Sequence, residues 1–481
     1  MELDSRSCYD ALQARDARFD GLFFVAVSTT RIYCRPVCTA RLPGRDRCTF
    51  YRYAASAEHA GYRPCLRCRP ELAPGHAPVD AARTAAHWTA ARIDSGALND
   101  GDLEQLAAEY GLSSRQLRRV VKSEFGVTPV ELAQTRRLLL AKQLLTDSSI
   151  SMAEVAHASG FSSVRRFNHL FNARYSLNPT ALRRRSRPAA NTDAIALKLA
   201  YRPPLDWARL TAFLASRGAS GVECVQGARY LRTARLGGHS GWFGAQPLPK
   251  QNALLLEISL GLLPELAPLL ARVRQLFDLN ANPRIIEERL RRDGRLKSIV
   301  RRQPGLRVPG AFDGFELALR AVLGQQVSVK AATTLFGRFA QAFGEPAATP
   351  CDELKFFAPT PERIAAAHLG ELTRLGLTRG RAETVLHLAH AVAEGGLKLE
   401  PGVAVEATMQ RLQDLPGIGA WTTHYVAMRA LGHPDAFPHA DLGLMKALGL
   451  RDAKAILAAA EPWRPWRAYA AHHLWASLKQ D

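Results

Sequence analysis

Two groups of residues in this chain have the types and the spacing to do chemistry. The first is Cys34, Cys38, Cys65 and Cys68, two close pairs separated by 26 residues. Four thiolates so placed can close a tetrahedral Zn²⁺ site. Spacing leaves two readings open, a purely structural knot or an activated nucleophile, because a zinc-bound thiolate stays deprotonated and an exposed one can displace methyl from an electrophile such as a methylated phosphate. The second group is the run MQRLQDLPGIGAWTTHYVAMRAL with Asp441, which follows Trp421 by twenty residues. The run reads as helix, tight turn, helix, with Pro416, Gly417 and Gly419 in the turn. Glycines there let backbone N–H groups approach a phosphate. Asp441 stands at the start of the helix LGLMKALGL, whose terminal field favours an ionised carboxylate. On its own it is a helix cap; placed beside a sugar it would stabilise the positive charge left when an N-glycosidic bond breaks. Trp421 and Tyr425 lie one turn apart on one helix face, flat π surfaces on which an extruded, electron-poor base can stack.

These groups need elements to hold them. Residues 1–78 are loop-rich, contain the cysteine cluster and end in Pro70, Pro74, Gly75 and Pro78, a small domain followed by a breakpoint. Residues 79–185 are helical, in two similar blocks, LEQLAAEYGLSSRQLRRVVKSEFG and MAEVAHASGFSSVRRFNHLFNARY. Each has a short helix, a Gly-containing turn and an Arg-bearing second helix, the pattern of a helix-turn-helix. The second helix of such a unit enters the major groove. The candidate readers are therefore Arg115, Gln116, Arg118 and Arg119 in the first block, and Ser163, Arg165, Arg166 and Asn168 in the second. Arg suits guanine edges and phosphates, Asn and Gln suit adenine. Residues 186–193 read as a linker. The alternation IALKLAY opens a strand-bearing segment, 194–280, and 281–481 is predominantly helical. The expected fold class is multidomain and mainly α with α+β parts.

The formal charge of +20 is spread over the whole chain, a distribution suited to an extended polyanion, since each phosphate neutralised releases counterions. The most apolar stretch, Leu254 to Leu270, is broken by Glu257, Pro264 and Glu265, so no membrane span is expected. The first thirty residues carry several Asp and no apolar core, so no secretory signal is expected and a cytoplasmic setting is. Reduced thiols there favour metal over disulfides for the cysteine cluster. Cys8, Cys48, Cys224 and Cys351 read as packed or surface thiols.

The run FDGLFFVAVSTTRIYCRPVCTAR with GYRPCLRCRP resembles the N-terminal domain of the Ada family of bacterial alkylation-response proteins. That resemblance implies one zinc ion, structural and thiolate-activating, and makes Cys34 the acceptor of methyl from methylphosphotriesters. GFSSVRRFNHLFNARYSLNPTALRRR with FGVTPVELAQTRRLLLAKQLL resembles the AraC-type DNA-binding domain, which implies promoter DNA and RNA polymerase as partners and transcription activation. From about residue 194 onward, ALRAVLGQQVSVKAA, the hairpin with Asp441, and EPWRPWRAYAAHHLWAS resemble the AlkA type of helix-hairpin-helix DNA glycosylase. Excision of alkylated bases such as 3-methyladenine is implied, with Asp441 as the catalytic carboxylate, Trp475 joining Trp421 and Tyr425 in the base pocket, and a monovalent cation at the hairpin. Strand-nicking relatives have Lys where this chain has Trp421, so a glycosylase without lyase activity is expected. One departure stands out: Gln326 occupies the position of the leucine that fills the gap left by the flipped base. No PCHR sequence follows Cys68, so direct repair of O6-methylguanine is not expected. The whole is read as a bacterial, nucleoid-associated monomer acting on alkylated duplex DNA. The rival reading is a damage-responsive regulator with a non-catalytic glycosylase-like half and a purely structural zinc site; Asp441 and the aromatic set weigh against it.

Overall fold

The computed structural model describes residues 5–15, 23–51, 57, 60–65, 67–68, 70, 78–99, 101–186 and 193–478. Most of the linker (187–192) and the breakpoint around Pro74 and Gly75 lie outside the described residues. The chain forms two compact units, residues 1–90 with 101–132, and 91–100 with 133–481.

In the first unit, helix α1 (Ser5–Gln13) precedes a four-stranded sheet of β1 (Phe24–Val27), β2 (Ile32–Cys34), β3 (Cys48–Tyr51) and β4 (Arg63–Pro64), in the order β3-β1-β2-β4. Strands β2 and β4 run parallel with Tyr33 opposite Pro64. One residue further along that register, Cys34 comes opposite Cys65, and the Cys65 N–H donates to the Tyr33 carbonyl at 3.0 Å. A short parallel pairing thus brings together the two distant cysteine pairs. Helix α2 (Pro78–Asp94) leads to the first helix-turn-helix, α3 (Leu103–Ala108) and α4 (Ser114–Phe125). Leu117 and Val121, one turn apart on α4, are fully buried, and Trp88 stacks on Tyr110 with ring centroids 5.7 Å apart. Helix α4 stops at Gly126 in the left-handed conformation.

The second unit takes in most of α5 (Pro129–Asp147) and continues through the second helix-turn-helix, α6 (Met152–Ala158) and α7 (Val164–Tyr175), and then α8 (Pro179–Ser186). A five-stranded antiparallel sheet follows, ordered β5-β9-β8-β7-β6, from β5 (Ala194–Ala200), β6 (Glu223–Gln226), β7 (Arg229–Leu236), β8 (His239–Leu248) and β9 (Ala253–Ser259). Its register pairs Ile195 with Ile258, Leu197 with Leu256 and Leu199 with Leu254, all buried. A slip of one residue would turn that whole set to the other face. Helices α9 (Trp207–Arg217) and α10 (Leu266–Leu276) cover the sheet. Leu144 and Leu145 of α5, with Phe167 and Phe171 of the second helix-turn-helix, belong to the same continuous apolar core as Leu197, Phe243 and Ile258 of the sheet. Gln143 Nε2 also donates to the Lys198 carbonyl at 2.9 Å.

The remainder is helical: α11 (Pro283–Leu290), α12 (Gly294–Arg302), α13 (Gly314–Leu323), α14 (Val329–Phe343), α15 (Pro361–Ala365), α16 (Leu369–Arg374), α17 (Arg379–Ala393), α18 (Val405–Gln413), α19 (Ala420–Arg429), α20 (Leu442–Leu448), α21 (Ala453–Ala460) and α22 (Arg467–Ser477). Helix α13 is central and apolar on nearly every side, with Phe315, Leu319, Val322 and Leu323 all buried. Its buried charges are paired: Glu316 accepts from Arg232 of β7 at 2.7 Å and also from Arg320, which reaches Glu223 of β6 at 2.6 Å. Breaking one partner of such a set leaves an uncompensated buried charge, so the set fixes how helix and sheet dock. A mainly helical, multidomain chain with α+β parts is what the sequence implied.

Candidate active site and metal centre

Asp441 immediately precedes α20, and its Oδ1 accepts from the Leu444 N–H at 2.9 Å, as a helix cap does. The cap engages only part of the carboxylate. Trp475 Nε1 donates to Oδ1 at 2.8 Å, and Trp421 Nε1 donates to Oδ2 at 2.9 Å. Three neutral N–H groups thus solvate the carboxylate, and among the described residues no ion pair neutralises it, leaving its charge available to a cationic centre. Trp421 comes from α19 and Trp475 from α22, which packs on α20. Trp421 and Tyr425 stack with centroids 5.1 Å apart and planes 9° apart, as their four-residue spacing requires.

Behind this wall sits a cationic shell that sequence reasoning did not single out. Arg429, one turn beyond Tyr425, donates to the Tyr425 hydroxyl at 2.6 Å and is held by the carbonyls of Pro309 and Gly310 at 2.8 and 3.0 Å. Burial would push the Tyr425 hydroxyl up, but the Arg429 and Arg217 guanidiniums beside it bring it below the ordinary tyrosine value. Arg217 lies at the end of α9, its guanidinium 4.0 Å from the Phe213 ring centroid; burial lowers its own pKa. Phe213 contacts His472, which meets Trp475 edge-on at 4.9 Å. The series Trp421, Tyr425, Arg429 repeats every four residues and was legible as one helix face. Phe213 and Arg217 arrive from another subdomain and carried no local signal.

Gln326 is exposed and adopts φ 56°, the left-handed region that non-glycine residues rarely enter. Its neighbour Gln325, also unremarked in the sequence, donates from Nε2 to the Gly417 carbonyl at 3.0 Å and to Thr422 Oγ1 at 3.1 Å. The loop bearing Gln326 is thereby tied to the hairpin turn. Gly417 has φ 85°, and a Cβ there would lie 2.0 Å from Thr384 Oγ1, so this position requires glycine. Gly417 and Gly419 are exposed just ahead of the first turn of α19.

In the helix-turn-helix blocks Arg115, Arg118, Arg119, Arg165, Arg166 and Asn168 are exposed. Two of the expected readers, Gln116 and Ser163, are exposed as well and also make local capping contacts. Gln116 Oε1 accepts from the Ser113 N–H at 2.8 Å in a capping box, and Ser163 caps α7 by accepting from the Arg166 N–H at 3.2 Å.

The sulfurs of Cys34, Cys38, Cys65 and Cys68 all lie within 4.8 Å of one another, and all four residues are buried. Zinc–thiolate bonds of ~2.3 Å in a tetrahedron set sulfurs ~3.8 Å apart, so the set fits Zn²⁺ after a small contraction. Crowded together as thiols, Cys34 and Cys38 divide one proton unequally: hydrogen bonds to Cys38 and Cys68 push Cys34 up, while the bond from Cys34 holds Cys38 down. Four thiolates cannot coexist in that box without a cation. The Arg35 N–H donates to Cys68 Sγ at 3.4 Å, a bond that draws charge from the thiolate sulfur. Cys34 and Cys65 have equal exposure, 8%, so accessibility does not single out a nucleophile. Cys48 stands apart, its thiol donating to the Gly44 carbonyl at 3.4 Å.

The sequence matches family models along its length: the metal binding domain of Ada over residues 7–71, a helix-turn-helix domain over 106–185, the AlkA N-terminal domain over 196–313, and the HhH-GPD superfamily of base excision DNA repair proteins over 319–454. The probable bifunctional transcriptional activator/DNA repair enzyme AlkA of Mycobacterium tuberculosis is 37% identical over 488 residues, covering 100% of this chain and 97% of the relative. The chain belongs to this bifunctional AlkA family. Within it, the glycosylase half of this chain is also 40% identical over 277 residues to DNA-3-methyladenine glycosylase 2 of Escherichia coli, covering 58% of this chain and 95% of that protein. The structure of 3-methyladenine DNA-glycosylase from Archaeoglobus fulgidus superposes with a TM-score of 0.51 at 21% identity over 59% of this chain and 98% of that one, which shows the shared fold. Zn²⁺ is the cofactor of this chain, and the four buried thiols of the Ada-type module are the donors that fit it.

Proposed function

We propose that this protein removes alkylated bases such as 3-methyladenine from duplex DNA by hydrolysing the N-glycosidic bond, with Asp441 as the catalytic carboxylate. The observation that carries this reading is the grip of two indole N–H groups on both oxygens of Asp441, next to the parallel Trp421–Tyr425 stack. An extruded base alkylated at a ring nitrogen is cationic and electron-poor. It stacks on Trp421 and Tyr425, and its glycosidic bond breaks with the electron pair going to the base, which departs neutral. The positive charge moves to the sugar, where Asp441 stabilises it. Water then bonds to C1′ and loses a proton. No strong general acid is needed because the leaving group is already charged. Trp421 stands where a lyase would need an amine, so the enzyme stops at the abasic site. Gly417, Gly419 and the first turn of α19 hold a phosphate, and Gln326 fills the emptied stack as a polar wedge.

The N-terminal half works as a damage-responsive transcription activator. Cys34, as zinc-bound thiolate, takes the methyl of a methylphosphotriester: the sulfur forms the new S–C bond, the O–C bond breaks, and its electrons stay on the phosphate. A four-thiolate zinc site carries net charge near −2, so methylation removes about one negative charge and strengthens attraction to DNA. The exposed arginines of α4 and α7 then bind promoter DNA and present the protein, as a monomer, to RNA polymerase. No helix among the described residues is long and apolar enough to cross a membrane, and a cytoplasmic place is part of the same proposal. The test of the glycosylase incubates the protein with methylated duplex DNA and separates free bases by chromatography. Release of 3-methyladenine without strand nicking is expected, and release no greater than from an Asp441→Asn control defeats the assignment. For the sensor, mass spectrometry after exposure to methylphosphotriester DNA should find one added CH₂ on Cys34; an unmodified Cys34 removes that claim.

A further inference from the structure

Cys224 lies on β6, the edge strand of the five-stranded sheet, and Cys351 lies in the connection between α14 and α15. The two are 127 positions apart in sequence, yet their sulfurs are 3.8 Å apart. Neighbouring contacts that involve neither thiol set this meeting. The N–H groups of Lys355 and Phe356 both donate to the Gly221 carbonyl, at 2.7 and 2.9 Å, and Thr233 Oγ1 donates to the Phe356 carbonyl at 2.8 Å. Gly221 has φ +85°, in the left-handed region that favours glycine, and a Cβ there would meet the Phe356 ring at 2.9 Å. Gln226, two residues after Cys224 and so on the same strand face, donates from Nε2 to Cys351 Sγ at 3.4 Å and to Glu353 Oε1 at 3.2 Å. Both cysteines are half-buried.

We propose that Cys224 and Cys351 are an oxidation site that closes to an intramolecular disulfide on exposure to a peroxide. A disulfide needs sulfurs ~2.05 Å apart, so each sulfur has to move by about 1 Å, within reach of small side-chain rotations while the backbone stays seated. One thiolate attacks the peroxide O–O bond, forming a sulfenic acid and releasing water once a proton is taken up. The second thiolate attacks that sulfur, forming the S–S bond and releasing the second water. Two thiols and one hydrogen peroxide give one disulfide and two waters. Burial, Cys351 and Glu353 push the Cys224 thiol up, which disfavours the Cys224 thiolate. The bond would fasten the sheet subdomain, which supplies Phe213 and Arg217, to the helical domain that supplies Trp421, Tyr425 and Trp475.

The full-length, zinc-loaded protein is treated with hydrogen peroxide, capped with N-ethylmaleimide, digested without reductant and analysed by mass spectrometry, beside Cys224→Ser and Cys351→Ser. Expected is a cross-linked peptide pair containing Cys224 and Cys351, two hydrogens lighter than the separate peptides, reversed by dithiothreitol and missing from both variants. The oxidised wild type should also melt several degrees above its reduced form, a shift that neither variant shows. Recovery of both cysteines as maleimide adducts, as separate over-oxidised peptides, or cross-linked to other cysteines would overturn the proposal.

Discussion

Asp441 does two jobs that can be separated by substitution. As a cap it accepts one backbone N–H, from Leu444 at 2.9 Å; in the proposed reaction its charge is what acts on the sugar. Asp441→Ser keeps an excellent cap residue and removes the charge, while Asp441→Asn keeps the shape and one oxygen. In Asn the retained oxygen can still accept from Leu444 and Trp475, but the amide then presents N–H to the Trp421 N–H. That mismatch costs about 1–2 kcal/mol of stability for a partly buried donor left without its acceptor. The catalytic loss is larger. A carboxylate ~4 Å from the cationic sugar contributes about 4 kcal/mol at an effective dielectric of ~20, which corresponds to roughly a thousandfold in rate. Single-turnover base release from DNA containing 3-methyladenine, with unfolding measured by urea denaturation, should therefore show both variants slowed about a thousandfold but still folded, with binding to an abasic-site duplex within a few-fold of wild type. A rate loss below tenfold, or one that shrinks in proportion to recovered stability, would show that Asp441 is a cap and nothing more.

Other outcomes follow from the same geometry. Gly417→Ala meets both a left-handed backbone and the Thr384 hydroxyl at 2.0 Å, so it should cost at least about 1–3 kcal/mol in a urea melt and weaken DNA binding through the hairpin; an unchanged midpoint would refute the steric argument. Cys38→Ser should abolish stoichiometric zinc by metal analysis, whereas Cys48→Ser should retain one zinc per chain. Burial lowers His473 from its ordinary value to about 3, so it is neutral in the fold and gains a proton more readily when unfolded. Its contribution is complete above about pH 6.5 and is lost as pH falls towards 3. Wild type should thus lose about 2 kcal/mol relative to His473→Gln between pH 7 and pH 5; parallel pH profiles would contradict that. Arg118→Ala should reduce the slope of log K against log salt by about one unit if this exposed arginine contacts a phosphate.

Contiguous features were legible in the sequence. The hairpin is one unbroken run, so its Pro and Gly residues announce the turn and the spacing to Trp421 and Tyr425 follows from helical geometry. The cysteine spacing announced zinc because metal chemistry constrains the four positions directly. What stayed hidden depends on chain segments meeting across long separations. Arg217 and Phe213 come up behind the Trp421–Tyr425 stack only through the docking of sheet on helices. Gln116 and Ser163 look like groove readers in a one-dimensional pattern, but backbone N–H groups at a helix start compete for their oxygens. Cys224 and Cys351 read as two solitary thiols because nothing local relates an edge strand to a connection 127 residues away.

The core shared by the second helix-turn-helix and the five-stranded sheet bears on how this chain can be dissected. A cut between residues 186 and 193 looks harmless on paper. It would strip Phe167, Phe171, Leu144 and Leu145 from Leu197, Phe243 and Ile258, leaving each fragment with a wet apolar face. A glycosylase fragment begun at 194 should therefore be aggregation-prone, and soluble pieces should be sought by cutting elsewhere or by mutating that face to polar residues.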